Sequence, residues 1–189
     1  RLEPEVLSTL LNSYLNEMSK IALKYGGTID KFVGDAILIF FGDPETKGDK
    51  EDAYSCVLMA LEMQERMHHL KNLWEGQGIT NPLEIRIGIN TGYCNVGNFG
   101  SENRLDYTII GGEVNLASRL ESNALTGQIL ISQETYALIK KHIVCEKKDE
   151  IKVKGIAHKI QTYQVVGSYK NIAQKRKILN EKFDGFNLN

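Results

Sequence analysis

Apolar positions recur at helical spacing near the start of the chain. Val6, Leu7, Leu10, Leu11, Tyr14, Leu15, Met18, Ile21 and Ala22 form one stripe, which predicts an amphipathic helix. Pro4 suits its first turn, and Glu3 and Glu5 lie near the positive end of its dipole. Gly26-Gly27 stop it. From Thr28 the period shortens. Thr28 to Val33 and Ala36 to Phe41 read as two short strands joined by a tight turn at Gly34-Asp35. Gly42 to Asp49 is a polar loop. A long helix follows, roughly Lys50 to Glu75, with Val57, Leu58, Leu61, Met67 and Leu70 on its apolar side.

Beyond the break at Gly76 to Pro82, Ile85, Ile87 and Ile89 alternate within a strand expected over Leu83 to Thr91, which Gly92 to Val96 is expected to continue. Gly97 to Ser101 reads as a glycine-punctuated loop leading to a strand at Tyr107 to Ile110. Gly111-Gly112 lead into a helix from about Glu113 to Asn123. Gln128 to Ile131 is a short strand, and Ser132 caps a helix over Gln133 to Lys140. Val144 to Val153 and Ile160 to Val166 are expected to pair as the last strands. Mixed helices and hairpins predict an α+β fold: a mostly antiparallel sheet with packed helices, not a parallel Rossmann sheet. The domain is expected to span residues 1–166. Residues 167–189, polar and rich in lysine, read as a tail or a peripheral helix.

Composition narrows the classes. The chain has 189 residues, 42% apolar and 25% charged, an ordinary globular balance that argues against disorder. A net charge of −1 leaves no overall basic footprint for nucleic acid. Cys56, Cys94 and Cys145 are widely spaced, with no zinc-type spacing, and read as reduced thiols of a cytoplasmic protein. His68 and His69 sit on a polar helical stretch and read as solvated. No run approaches the ~20 apolar residues of a membrane span.

There is no GxxxxGK[ST] and no GxGxxG between a strand and a helix, so a nucleotide site must be built from side chains. Asp35, at a tight turn between two apolar strands, suits a divalent cation that prefers oxygen ligands and phosphate partners. Turn geometry explains a Gly-Asp pair equally well. Lys31 shares strand parity with Ile29 and Val33, so it either finds an acceptor or snorkels to water. Asn115 and Arg119 are four residues apart and project from one helix face, a pairing suited to a ribose beside a reacting phosphate or to a plain polar stripe. Lys154, beside Gly155 at an expected strand end, offers a close approach to a polyphosphate.

Taken together, these segments resemble the class III nucleotidyl cyclases over about residues 1 to 166. The motifs run in order: G-x-x-x-K-x-x-G-D at Gly27 to Asp35, R-x-G-I-x-T-G at Arg86 to Gly92, Asp106 to Gly111, G-x-x-V-N-x-A-x-R ending at Arg119, and V-K-G at Val153 to Gly155. The resemblance implies the ferredoxin-like fold of that family and an adenylate cyclase producing cyclic AMP and pyrophosphate from ATP. It implies that Asp35 binds metal, as the second of two metal-binding aspartates serving two divalent cations, Mg²⁺ or Mn²⁺. Lys31 and Thr108 match the pair that reads the purine edge. Lysine with threonine fits adenine, whereas guanylate cyclases carry glutamate and cysteine. The resemblance assigns Asn115 to ribose orientation, Arg119 to charge on the phosphate and Lys154 to the polyphosphate. It also implies a head-to-tail homodimer with sites at the interface, in which Lys31 and Asp35 serve different sites.

The family's first strand, F-x-D-I-x-x-F with the first metal aspartate, is expected ahead of Arg1. A protein without it is expected to be weak or inactive, because Asp35 alone cannot hold two metals. Tyr93 stands where some relatives have arginine. An upstream sensor or regulatory domain is expected, and threonine at position 108 resembles the bicarbonate-responsive branch. A catalytically inactive dimerisation domain and a guanylate cyclase are the rival readings.

Overall fold

The computed structural model describes residues 3–184, with side chains described up to residue 179. Helix α1 (Pro4–Lys24) buries Leu10, Tyr14, Met18, Ile21 and Ala22. These pack on Met59, Met63, Met67, Leu70 and Trp74 of the long helix α2 (Asp49–Gly76). Each large apolar side chain buried in this way contributes roughly 1.5–3 kcal/mol relative to an exposed one. The opposite side of α2 is buried too. Ala53, Val57 and Ala60 join Ile89, Ile129, Ile131, Ile139 and Ile143 in a second cluster. Leu58 and Leu61, expected among the core residues of α2, are only half-buried: they flank the second cluster and line an open cleft.

Strands β1 (Thr28–Val33) and β2 (Ala36–Phe40) form an antiparallel hairpin. The central sheet has the order β3-β6-β8-β7, from β3 (Ile87–Ile89), β6 (Ile129–Ser132), β7 (Ile143–Lys147) and β8 (Thr162–Ser168). Only β3 and β6 run parallel; every other pairing is antiparallel. Helix α3 (Gly112–Asn123) covers β3, and Leu116 and Leu120 enter a third cluster with Leu130, Val153 and Ile160. Ser132 caps α4 (Gln133–Ile139), its hydroxyl accepting from the Thr135 amide at 3.3 Å. Helix α5 (Tyr169–Asp184) follows β8 directly. Among the described residues, no helix is long and apolar enough to cross a membrane.

Two expectations are corrected. The strand expected over Leu83 to Thr91 shrinks to Ile87–Ile89, because the Ile85 carbonyl is taken by the Gly127 amide (2.8 Å) and the Gln64 side chain (3.1 Å). The loop expected at Gly97 to Ser101 is instead part of strand β4 (Asn95–Ser101), paired along its length with β5 (Arg104–Ile110). Glycine reads as a breaker, yet here it lets the hairpin close. A Cβ on Gly100, at φ +147°, would stand 2.0 Å from the Arg104 carbonyl oxygen.

Candidate active site

The β1–β2 turn places Gly34 at φ +63°, at the first central position, where a two-residue hairpin turn favours glycine. Asp35 follows it at the exposed tip. The carboxylate faces Tyr14 of α1, whose phenol is pushed up to about 12 by burial and, secondarily, by the Asp35 charge. Tyr14, Asp35 and Glu84 line one small cleft, but the Glu84 carboxylate lies 2.6 Å from Lys71 Nζ. Asp35 therefore supplies one free carboxylate. Among the described residues there is no group of three or more His, Cys, Asp or Glu side chains that could hold a metal ion. Asp35 alone is a partial ligand set, suited to a cation that takes its other ligands from phosphate and water.

A β-bulge lies five residues earlier in the chain, at Asp30. Ile29 pairs with Ile39 and Lys31 with Leu38, so Asp30 has no partner on β2. The Asp30 side chain is only 1% exposed. Its Oδ2 accepts from the Thr108 hydroxyl at 2.6 Å and from the Ile109 amide at 2.8 Å. Its Oδ1 lies 3.6 Å from Lys31 Nζ. Two residues far apart in sequence, Lys31 on β1 and Thr108 on β5, thus meet across one buried carboxylate. Lys31 is half exposed, so solvent screens that pair, and the lysine keeps N–H groups for another acceptor. Thr108 is buried.

Asn115 and Arg119 are exposed on one face of α3, about 100° around the helix from the buried Leu116 and Leu120. The R-x-G-I-x-T-G segment holds this helix in place through every second residue. Arg86 Nε donates to Glu121 at 2.6 Å, and Gly88 gives α3 room. Asn90 Nδ2 donates to the Glu113 carboxylate at 2.6 Å. A Cβ on Gly92 would lie 2.5 Å from Glu113 Cγ. That period-two pattern clamps α3 along its length, Arg86 and Gly88 against its C-terminal half and Asn90 and Gly92 against Glu113 in its first turn, two residues before Asn115.

Lys154 is exposed and is not at a strand end. The pairing expected to run through Val153 ends at Lys147 and resumes as a single bridge between Ile151 and Ile160. Lys154 and Gly155 (φ +90°) instead occupy the corner of a turn closed by the Ile156 amide on the Val153 carbonyl at 3.1 Å. Such a turn holds the lysine out from the body of the fold.

A cleft of about 510 Å³ between α1 and α2 is lined by Glu17, Lys24, Glu62, Arg66 and His69 and by none of the candidate residues, and the small cleft beside Tyr14 takes only Asp35 of them. Lys31, Asp35, Asn115, Arg119 and Lys154 are exposed while Thr108 is buried, and the two hairpins also expose Phe32, Val33, Leu105, Tyr107 and Ile110. Sequence reasoning missed Asp30, Tyr14 and the Asn90–Glu113 clamp. A charged residue inside the apolar run Thr28 to Val33 was the available signal for the first.

The sequence matches the family described as the adenylate and guanylate cyclase catalytic domain over residues 1–167. It is 31% identical to adenylate cyclase 1 of Rhizobium meliloti over 166 residues, covering 87% of this chain and 24% of that protein. It is 34% identical to the terminal-differentiation specific adenylate cyclase of Dictyostelium discoideum, covering 94% of this chain and 8% of that protein. The chain thus spans less than a quarter of either protein's length. Among solved structures, the adenylyl cyclase CyaB from P. aeruginosa is similar at 64% identity and TM-score 0.87, over 89% of this chain and 86% of that one. The guanylyl cyclase Cya2 is similar at 37% identity and TM-score 0.82, over 88% and 83%.

Proposed function

The chain belongs to the adenylate and guanylate cyclase catalytic domain family, a class III nucleotidyl cyclase domain, and from that membership we propose that the protein converts ATP to 3′,5′-cyclic AMP and pyrophosphate at sites shared by two copies. The observation that carries the choice of ATP is the meeting of Lys31 and Thr108 on the Asp30 carboxylate. A lysine ammonium donates to adenine N1, and a threonine hydroxyl accepts from the exocyclic amine. Guanine presents the reverse: an N–H at N1 and a carbonyl at position 6.

In this reading the ribose 3′-oxygen attacks the α-phosphorus, its proton is lost, and pyrophosphate leaves. Asn115 orients the ribose. Arg119 stabilises the negative charge that grows on the α-phosphate in the transition state. Lys154, held out on its turn, binds the departing polyphosphate as a point charge. Asp35 would hold a divalent cation together with the phosphates; such a cation, when bound, supplies Lewis-acid stabilisation of phosphate charge.

Two features support a site made by two chains. The cleft between α1 and α2 takes none of the candidate residues and the small cleft beside Tyr14 takes only Asp35, while exposed apolar side chains lie on both hairpins. Solvent exposure of Phe32, Val33, Leu105 and Ile110 is costly in an isolated chain and is relieved by a symmetric partner. Residues 1–166 form the catalytic domain in this proposal, with 167–189 appended to it. Turnover of ATP and of GTP by the full-length protein, with cyclic AMP and cyclic GMP quantified separately, tests the reading. A higher kcat/KM for GTP would refute it.

A further inference from the structure

A hydroxyl is an ambiguous reader of a purine. Threonine has one proton and two lone pairs, and the same side chain can accept from an amine or donate to a carbonyl. An unrestrained Thr108 would satisfy the adenine amine in one rotamer and the guanine carbonyl in another. Its discrimination therefore depends on where its proton is held.

In this fold the proton is already committed. Thr108 Oγ1 donates to Asp30 Oδ2 at 2.6 Å. That oxygen is anchored from a second side by the Ile109 amide at 2.8 Å, so the carboxylate cannot swing away with the hydroxyl. Asp30 is buried, and a carboxylate only accepts. Returning the proton to a ligand would leave a buried acceptor short of one charge-assisted partner, which disfavours that rotamer. The other oxygen lies toward Lys31 and steadies the second reader. The bulge puts the carboxylate there: without the extra residue at Asp30, the 29–31 stretch would alternate faces in register with β2.

We propose that Asp30 is the specificity-determining residue of this site: it fixes Thr108 as a hydrogen-bond acceptor and anchors Lys31, so that only a purine with a donor at position 6 is matched. Asp30 acts through Thr108 and Lys31 and is a positioning residue. The inference rests on the ATP-selective reading given above.

The test is the ratio of kcat/KM for ATP to that for GTP in the full-length protein, because loss of folded enzyme cancels in a ratio. Asp30→Ala is expected to lower that ratio at least about tenfold, the equivalent of one charge-assisted hydrogen bond, with GTP turnover gaining relative to ATP. In a Thr108→Val background the same substitution is expected to change the ratio by much less, since the hydroxyl is gone and only the solvent-screened contact with Lys31 is left to lose. Asp30→Asn guards against a folding failure. Its amide can present oxygen or nitrogen to Thr108, so the ratio is expected to fall about threefold. Wild-type preference for ATP with an unchanged ratio in Asp30→Ala, or in Asp30→Asn should the alanine variant not fold, overturns this inference alone. An equal fall of the ratio with and without Thr108 overturns it as well. A wild type that prefers GTP overturns the ATP reading and this role with it.

Discussion

Gly88 of β3 lies so close beneath α3 that a Cβ on it would stand 2.2 Å from the Glu121 backbone nitrogen and 2.4 Å from the Ala117 carbonyl oxygen. Both obstructing atoms are helix backbone and cannot rotate aside. The separation of β3 from α3, and with it the position of Asn115 and Arg119, depends on the missing side chain. Gly88→Ala is expected to destabilise the domain by about 1–3 kcal/mol, lowering Tm by about 2–4 °C per kcal/mol, and to reduce kcat further by shifting α3. Thermal melting and steady-state kinetics on the same preparation check both effects.

Arg86→Ala is the contrasting case on the same strand approach. The Arg86–Glu121 pair is 2.6 Å long, but both side chains are more than a third exposed. Solvent screening limits such a pair to about 1 kcal/mol or less. Tm is expected to move by no more than about 4 °C; a larger drop would show that the pair fixes α3 more strongly than its exposure implies.

Shared sites predict complementation. Arg119 is exposed on α3, so Arg119→Ala is expected to leave the fold intact while lowering kcat about 10²–10³-fold, the usual cost of one electrostatic stabiliser. Asp35→Asn is expected to be comparably defective. If each proposed site takes Asp35 from one copy and Arg119 from the other, one site of a mixed dimer collects both substitutions and the other collects neither. Mixing the two inactive variants is therefore expected to restore about a quarter of wild-type activity. No recovery after verified subunit exchange would rule out sites built from both copies.

Asp35 at an exposed hairpin tip supplies a single carboxylate. Chelation is expected to abolish cyclic AMP formation by the full-length protein and added Mg²⁺ or Mn²⁺ to restore it. Asp35→Asn is expected to raise the cation concentration for half-maximal activity by about tenfold or more, as the loss of one anionic ligand requires. Cation titrations of wild type and variant provide the comparison.

The Cys56 thiol is partly buried between the two core clusters that α2 joins, and that burial pushes it up to about 12. The folded state therefore holds this proton more tightly than the unfolded chain. Its contribution to stability is fully present below the unfolded value near 9 and is lost as pH rises toward about 12. Native Cys56 is expected to resist alkylation at pH 8.5, and to react promptly once the protein is unfolded in denaturant. Peptide mass spectrometry after timed quenching measures both rates; rapid native labelling would contradict the burial.

Local patterning carried much of this architecture. The helical stripe from Val6 to Ala22, the Gly34-Asp35 turn, the Ser132 cap and the ordered motifs from Gly27 to Gly155 are all local arrangements, and each is visible as spacing in the chain. Positions 31, 35, 108, 115, 119 and 154 could be singled out because their residue types recur with those motifs. What spacing cannot encode is which distant residue fills the other half of a hydrogen bond. Gly97 and Gly100 signalled a break until the partner strand β5 supplied the ladder. Lys154 looked like a strand end until the turn at Gly155 lifted it away. Asp30 was one of two adjacent charged residues in a strand-like run, and only tertiary folding brought the Thr108 hydroxyl to its oxygen. The physical reason is the range of the forces: periodicity and turn chemistry act over a few residues, whereas a buried carboxylate is given its role by whatever the rest of the chain folds against it.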